Sequence, residues 1–219
     1  MVRFHIITLF PESFSYLGES IIGRAQKAKK IAVYFYNPRD FTSDAHRTVD
    51  DKAYGGGPGM VIKAEPVLKA VDKAVGRKKD TLIVMFTPSG EEFRQNFARE
   101  CVSTKKDIVL IAGHYEGVDE RVADVLRDKG MEVRKISIGP YILSGGELPA
   151  MVVIDAVARQ IPGTLGKSES LEESRVASPE VYTRPESFTY KKKAYRVPAV
   201  LLSGNHKDIE NWREGKGIK

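Results

Sequence analysis

The hydrophobic positions along the first three quarters of the chain form short continuous runs that alternate with segments of helical spacing. The runs predict β-strands at Val2–Leu9, Ile31–Tyr36, Thr81–Thr87, Asp107–Ala112 and Val133–Ile138. Helices are predicted at Ser13–Ala25, Ala64–Val75, Glu91–Val102, Val118–Lys129 and Glu147–Ile161. Runs that are apolar throughout are typical of a sheet covered on both faces. The repeated order of strand and helix therefore predicts an α/β fold with a mostly parallel sheet, whose ligands usually bind at the carboxyl ends of the strands.

The pattern changes after Gly166, and this change predicts the domain organisation. Residues 167–184 are polar and rich in Ser and Glu, which indicates a linker or a lid. A last apolar run, 197–202, precedes a predicted helix that ends near Glu214. We expect a main domain at 1–166, a linker or lid at 167–174, and a small helical C-terminal domain at 175–219.

Composition excludes several classes of protein. Among 219 residues, 35 Lys and Arg against 29 Asp and Glu leave a net charge of +6, which permits a nucleic-acid partner without requiring one. A single cysteine, Cys101, excludes an intrachain disulfide and a cysteine-based zinc cluster, and the four histidines show no metal-ligand spacing. No apolar run reaches the roughly 20 residues that a membrane-spanning helix needs. The first ten residues lack a signal-peptide pattern, so we expect a cytoplasmic protein.

Four glycine-rich or polar segments are candidates for chemistry. Segment 49–60 has four glycines in five residues, which lets a backbone approach a ligand closely, although a flexible surface loop has the same composition. Segment 87–90 directly follows a predicted strand and is a weak signal by itself. Segments 112–121 and 138–149 each join a predicted strand to a predicted helix. Polar side chains held on such turns favour a binding site.

Three charged patterns have competing explanations. Asp119 and Glu120 are either site residues or first-turn acids that complement a helix dipole. Asp155 and Arg159 lie four residues apart in a predicted helix that is apolar nearly all round. They form either an intrahelical ion pair or a site in which Asp155 orients the arginine towards negative charge that develops during a reaction. The basic run 191–193 predicts a solvated loop, with a phosphate contact as the less favoured alternative.

Several motifs, taken in their order along the chain, resemble one family. They include His46-Arg-Thr-Val-Asp-Asp51, Tyr54-Gly-Gly-Gly-Pro-Gly-Met60, Gly113-His-Tyr-Glu-Gly117, Ile138-Gly-Pro-Tyr-Ile-Leu-Ser-Gly-Gly-Glu147, Tyr182-Thr-Arg-Pro185 and Leu202-Ser-Gly-Asn-His206. Each motif alone is weak evidence, but the ordered set closely resembles the bacterial tRNA (guanine-N1)-methyltransferase family, TrmD. The resemblance implies a SPOUT-type parallel sheet with a deep C-terminal trefoil knot, and a homodimer whose active site lies at the subunit interface.

The resemblance also implies a reaction and its binding residues. Members of the family transfer a methyl group from S-adenosylmethionine to N1 of the guanosine at tRNA position 37, 3′ of the anticodon, so the expected partner is tRNA and not DNA. Mg²⁺ dependence is implied too, although the sequence shows no ligand set for it. The positions that match the donor-binding motifs are Pro88, Ser89, Gly90, Gly113, Tyr115, Glu116, Gly117, Ile138, Gly139, Pro140, Tyr141, Ile142, Leu143, Gly145 and Gly146. Those expected to contact tRNA are His46, Arg47, Asp50, Tyr54 and Arg184.

The chemistry requires a base and a stabilising cation. Guanine N1 carries a proton near neutral pH, so we expect a carboxylate to remove it and Arg159 to stabilise the negative charge that develops on O6. The family usually has Asp-Ser-Phe in the lid, where this chain has Leu171-Glu-Glu-Ser-Arg175. We match Glu173 to that aspartate because Ser174 follows it, with Glu172 as the alternative and Glu169 as a less favoured one.

Two further departures from the family pattern are Pro140 and the end of the chain at Lys219. Proline lacks the N–H of the polar residue that is common at that position, so one backbone contact near the donor is removed. Relatives continue into further helix, so we expect a shortened tRNA-binding domain. A knotted methyltransferase with a different RNA target and a non-catalytic RNA-binding protein of the same fold are the alternative functions.

Overall fold

The computed structural model describes residues 1–76, 80–165 and 180–215, within two compact units that divide between Thr164 and Leu165. The strands of the first unit are β1 (Val2–Ile7), β2 (Ile31–Tyr36), β3 (Asp50–Lys52), β4 (Met60–Ile62), β5 (Thr81–Glu92), β6 (Asp107–Ile111) and β7 (Glu132–Ser137). Five of these strands form one parallel sheet in the order β2-β1-β6-β5-β7, and β3 pairs with β4 as an antiparallel hairpin. The predicted α/β fold with a parallel sheet is confirmed.

Helices cover both faces of this sheet. They are α1 (Ser20–Lys27), α2 (Ala64–Val75), α3 (Gln95–Thr104), α4 (Arg121–Asp128) and α5 (Glu147–Gln160). On one face, α1, α3 and α5 pack against strand residues such as Phe4 and Leu110. On the other face, α2 and α4 pack against residues such as Ile83 and Val109. Successive strand residues point to opposite faces, so strands buried between two helical layers must be apolar at nearly every position.

The predicted helix Glu91–Val102 is wrong at its start, because β5 continues to Glu92 and α3 begins at Gln95. Residues 87–90 leave the sheet, and the chain then rejoins it, so that Phe86 and Glu91 both pair with Ile136. Gly90 makes this possible, since a Cβ there would lie 2.7 Å from the backbone of Ile136. The short apolar run indicates a strand but not that the strand resumes after a bulge.

Two other predicted helices differ from the structure at their amino ends. Ser13–Ala25 is a 3₁₀ helix at Pro11–Gly18 followed by α1, because Glu19 is extended between them. Val118–Lys129 begins only at Arg121, because the backbone before it pairs with β4. In that pairing Ile62 donates a hydrogen bond to the carbonyl of Gly117 and accepts one from the N–H of Asp119, both at 2.9 Å.

The second unit contains the hairpin strands β8 (Ser187–Tyr190) and β9 (Lys193–Arg196), followed by α6 (Ala199–Leu202) and α7 (His206–Gly215). The helix expected to end near Glu214 is present, and the region expected to be helical also contains this hairpin. Its turn is made by Lys191 and Lys192, whose φ angles are 48° and 64°. Glycine and asparagine usually mark such left-handed turn positions, so two lysines offered no turn signal. None of the helices in the described ranges is long and apolar enough to cross a bilayer.

Candidate active site

Three loops at the carboxyl edge of the central sheet surround a cavity of about 470 Å³. They are the bulge of β5 at 87–90, the loop 112–120 between β6 and α4, and the loop 138–146 between β7 and α5. These strands are parallel neighbours or lie two apart, so their carboxyl ends meet at one edge of the sheet. The volume is within the range of small-molecule sites, and its position is the one expected for a ligand of an open α/β sheet.

The structure brings together most of the residues that were expected to contact the donor. All of them line the cavity except Gly90, which packs against Ile136 at the base of the bulge, and Pro140, which is exposed. Glu120, which the sequence left open between a site residue and a first-turn acid, also lines the cavity, where it forms an ion pair with Lys135. Lys135 was not a candidate, because a lysine inside a predicted strand carries no signal for a site.

The loops after β6 and β7 touch each other through their backbones. The N–H of Gly146 donates a hydrogen bond of 2.7 Å to the carbonyl of Gly113, and His114 and Gly145 form an isolated antiparallel bridge. A Cβ on Gly146 would lie 2.6 Å from the Cα of Ala112. Only a residue without a side chain permits this approach, so Gly146 sets the distance between two walls of the cavity.

A buried glutamate stabilises the arrangement of these two loops. Glu147, the first residue of α5, is only 9% exposed and accepts a 3.1 Å hydrogen bond from the Thr8 hydroxyl. Its second carboxylate oxygen lies 3.7 Å from Nδ1 of His114, whose ring packs against Phe10. A carboxylate is favourable at a helix amino terminus because of the helix dipole. Glu147 therefore joins the segment after β1, the 112–120 loop and α5, a role that its place in a glycine-rich motif did not reveal.

The structure favours the structural explanation for Asp119. Its carboxylate accepts hydrogen bonds from the backbone N–H of Arg121 at 3.0 Å and from Nε of the same residue at 2.9 Å, at the start of α4. The hydrogen bond from the Arg121 guanidinium is the main reason that the pKa of Asp119 is lowered. Asp119 thus binds the N–H of the first residue of α4, where a carboxylate complements the helix dipole.

The glycine-rich segment adjoins the cavity at one wall. It forms the tip of the β3–β4 hairpin, where all four of its glycines have positive φ. The N–H of Glu116 donates a 3.0 Å hydrogen bond to the carbonyl of Met60, and a Cβ on Gly59 would overlap the Glu116 side chain. Tyr54 at this tip is fully exposed. A binding loop beside the cavity fits these contacts better than a spacer.

Comparison with known proteins decides which family this is. A family profile described as tRNA (Guanine-1)-methyltransferase TrmD matches residues 2–219. The chain belongs to the TrmD family. Curated relatives named tRNA (guanine-N(1)-)-methyltransferase include that of Dictyoglomus turgidum, 45% identical over 100% of this chain and 86% of the relative. The corresponding protein of Carboxydothermus hydrogenoformans is 46% identical over 99% of this chain and 83% of the relative, and that of Clostridioides difficile is 43% identical over 100% and 93%. The predicted resemblance to this family of methyltransferases is confirmed.

Of the two residues expected to be catalytic, Arg159 is not among those that line the cavity. Arg159 lies on α5 and lines a separate apolar groove of about 550 Å³. In the same groove Asp155 accepts a 3.2 Å hydrogen bond from the Tyr16 hydroxyl, and the negative charge of this carboxylate raises the pKa of Tyr16. Glu173 and its alternative Glu172 lie outside the described residues.

The residues expected to contact tRNA are spread over both units. His46 and Arg47 are exposed in the loop before β3, where Arg47 forms an ion pair with Asp40. Asp50 begins β3, next to the glycine-rich tip. Arg184 is exposed in the second unit.

Proposed function

We propose that this chain transfers a methyl group from S-adenosylmethionine to N1 of guanosine 37 in tRNA. The observation that carries the proposal is the cavity at the carboxyl edge of the sheet, whose three loops are the segments that match the donor-binding motifs of the family. The match to the TrmD family over residues 2–219 supports the choice of tRNA guanine as methyl acceptor. A tRNA substrate would place the enzyme in the cytoplasm.

The cavity suits a nucleoside-containing donor. Apolar side chains such as Ile111, Ile136 and Leu143 can hold a nucleobase, while the glycine-rich loops expose backbone amide and carbonyl groups for its polar edge. S-adenosylmethionine supplies an electrophilic methyl group on its sulfonium when it is bound. The contact between Gly146 and Ala112 fixes the loops before the donor arrives, so little ordering is left for the binding step.

Besides the methyl donor, the reaction needs a base for the N1 proton and a cation for the charge on O6. We assign removal of the N1 proton to the carboxylate of Glu173, with Glu172 as the alternative, and this assignment rests on the sequence alone. We assign stabilisation of the charge on O6 to the guanidinium of Arg159. The described ranges contain no group of three His, Cys, Asp or Glu side chains that could hold a metal ion, so Mg²⁺ is given no step.

A homodimer would complete the site. In one chain Arg159 lines the α5 groove and not the donor cavity, so the two are separate features of the same unit. The α5 face also leaves Leu148 56% and Val152 44% exposed, which is unusual for apolar side chains of a buried helix. We propose that a second copy of the chain covers this face and that catalytic groups and donor cavity meet across the subunit interface.

The proposal also assigns the RNA-facing side of the site. The exposed tip with Tyr54, together with Asp50, His46 and Arg47, would contact the tRNA beside the cavity wall formed by Glu116. Arg184 would contact it from the second unit. A guanine in a loop can leave its stack and present its Watson–Crick edge to such a site.

Methyl transfer from labelled S-adenosylmethionine to an unmodified tRNA transcript tests these roles. We expect methylation of a transcript with guanosine at position 37 and none when adenosine replaces it. Arg159→Ala and Glu173→Gln should each reduce the rate by at least about tenfold, as is typical for electrostatic and general-base contributions. Arg94→Ala and Glu65→Gln are matched controls at exposed surface positions and should retain the normal rate. Full activity of Glu173→Gln would remove Glu173 from the mechanism.

A further inference from the structure

The β8–β9 hairpin of the second unit presents a face of aromatic rings. Phe188 pairs with Tyr195, and Tyr190 pairs with Lys193, so these four side chains lie on one face of the two-stranded ribbon. The rings are 58% exposed for Phe188, 59% for Tyr190 and 41% for Tyr195. Three exposed rings on one side of a short ribbon form an interaction surface that a monomeric protein rarely leaves uncovered.

The rings are already ordered by contacts within the hairpin. Phe188 and Tyr195 stack with their centroids 5.5 Å apart and their planes within 19°. The ammonium group of Lys193 lies 5.2 Å from the centroid of Tyr195, and that of Lys191 lies 5.5 Å from the centroid of Tyr190. Each cation is thus held beside a π-face by cation–π attraction. A ligand that has both anionic groups and flat rings would match this arrangement.

The charge of the hairpin is of one sign. Between Ser187 and Arg196 the sequence has three lysines and one arginine and neither Asp nor Glu. Lys191 and Lys192 occupy a two-residue turn with positive φ at both positions, so their side chains project from the exposed end of the ribbon. Basic groups next to stacking rings are the features by which proteins hold unpaired nucleic-acid strands.

We propose that the β8–β9 hairpin binds unpaired RNA of the substrate. A base stacks on the ring of Tyr190, and the ammonium groups of Lys191 and Lys192 contact neighbouring phosphates. This inference rests on the proposed function for the identity of the RNA. It adds Tyr190 as a stacking residue, and for the basic run 191–193 it favours the phosphate contact over the solvated loop.

Two variants separate the contribution of the lysine charges from that of the stacking ring while preserving the hairpin. In Lys191→Asn/Lys192→Gly, both charges are removed and an Asn-Gly pair, which favours this turn geometry, takes their place. Tyr190→Leu removes the stacking ring but keeps an apolar side chain on the same strand. Lys69→Gln/Lys73→Gln removes the same number of charges from the exposed side of α2 and is the control.

The measurement is the affinity of each full-length variant for the unmodified tRNA transcript over a range of salt concentrations, by fluorescence anisotropy. We expect the double turn variant to lower the slope of log K against log salt by about 1.4, or about 0.7 for each phosphate contact on a single strand. Tyr190→Leu should weaken binding by roughly fivefold or more. The α2 control should change neither quantity, and every variant should bind S-adenosylmethionine as the natural sequence does.

Unchanged RNA affinity and unchanged salt slope in both hairpin variants would overturn the inference. So would a change of oligomeric mass in analytical ultracentrifugation without a change in RNA affinity, since the ring face would then be covered by a second copy. These outcomes are independent of the proposed reaction, because binding is read without turnover. Failure of the natural sequence to methylate tRNA would contradict the proposed function and leave the hairpin measurement valid.

Discussion

Replacing Gly146 by alanine tests how the donor cavity is built. Gly146 has φ −84° and ψ 1°, and alanine also has access to this region of negative φ, so the main perturbation is steric. The added Cβ would lie 2.6 Å from Cα of Ala112, 2.9 Å from N of Gly113 and 3.0 Å from C of Ala112. All three are backbone atoms, which cannot rotate out of the way.

The geometry sets the size of the effect. Carbon atoms in favourable contact lie about 3.5–4.0 Å apart, so the loop after β6 and the start of α5 must separate by about 1 Å. Overpacking of this kind typically costs about 1–3 kcal/mol of folding stability, which lowers Tm by roughly 2–4 °C for each kcal/mol in a chain of this size. Because the same two segments form walls of the cavity, we also expect donor affinity to fall by at least about tenfold, equivalent to about 1.4 kcal/mol.

Thermal unfolding and calorimetric titration with S-adenosylmethionine measure the two effects. Gly18→Ala is the matched control, since a Cβ there would meet nothing within 4 Å and Gly18 does not have positive φ. Gly18→Ala should be neutral or slightly stabilising. If Gly146→Ala kept both the Tm and the donor affinity of the natural sequence, the close approach of the two loops would not be what shapes the cavity.

Three further predictions follow from other parts of the chain. Burial raises the pKa of Cys101 to about 12, so iodoacetamide should label the native thiol at neutral pH at least about a hundredfold more slowly than the unfolded chain; rapid native labelling would contradict this. Asp119→Asn should lower the free energy of unfolding at pH 7, and the difference from the natural sequence should shrink below about pH 4. The reason is that a carboxylate with a lowered folded pKa loses its contribution only as pH falls through that value; denaturant titrations with an equal difference at both pH values would refute it. Val152→Glu should convert the proposed dimer into monomers in analytical ultracentrifugation and abolish methylation, whereas an intact dimer would place the interface elsewhere.

The parallel sheet was predictable because burial on both faces demands apolar residues at nearly every strand position. β6 satisfies that demand, since all five of its residues are buried and four of them are apolar. The β5 bulge was not predictable in the same way. It requires glycine at position 90 because the backbone there lies against Ile136, a residue 46 positions later in the chain. Contacts of this kind depend on which strands become neighbours, and local pattern does not encode that.

The candidate site was also predictable only where local sequence carries the signal. Gly113–Gly117 and Ile138–Gly146 were visible as polar or glycine-rich turns at strand ends, and the structure brings them together. Glu147 was not recognised as a support, since its partners Thr8 and His114 are distant in sequence. Arg159 was a candidate from its spacing to Asp155, whereas the role of Glu173 came from the resemblance. Neither spacing nor composition relates an arginine on α5 to a carboxylate in the connecting segment.

In the proposed reaction this chain methylates one ring nitrogen of one guanine. Nuclease digestion of a tRNA transcript after reaction, followed by mass spectrometry of the fragments and nucleosides, tests this directly. We expect a single added methyl group, recovered as N1-methylguanosine from the fragment that contains position 37. A methyl group on ribose, on another base or on another guanosine would contradict it and favour a different RNA target.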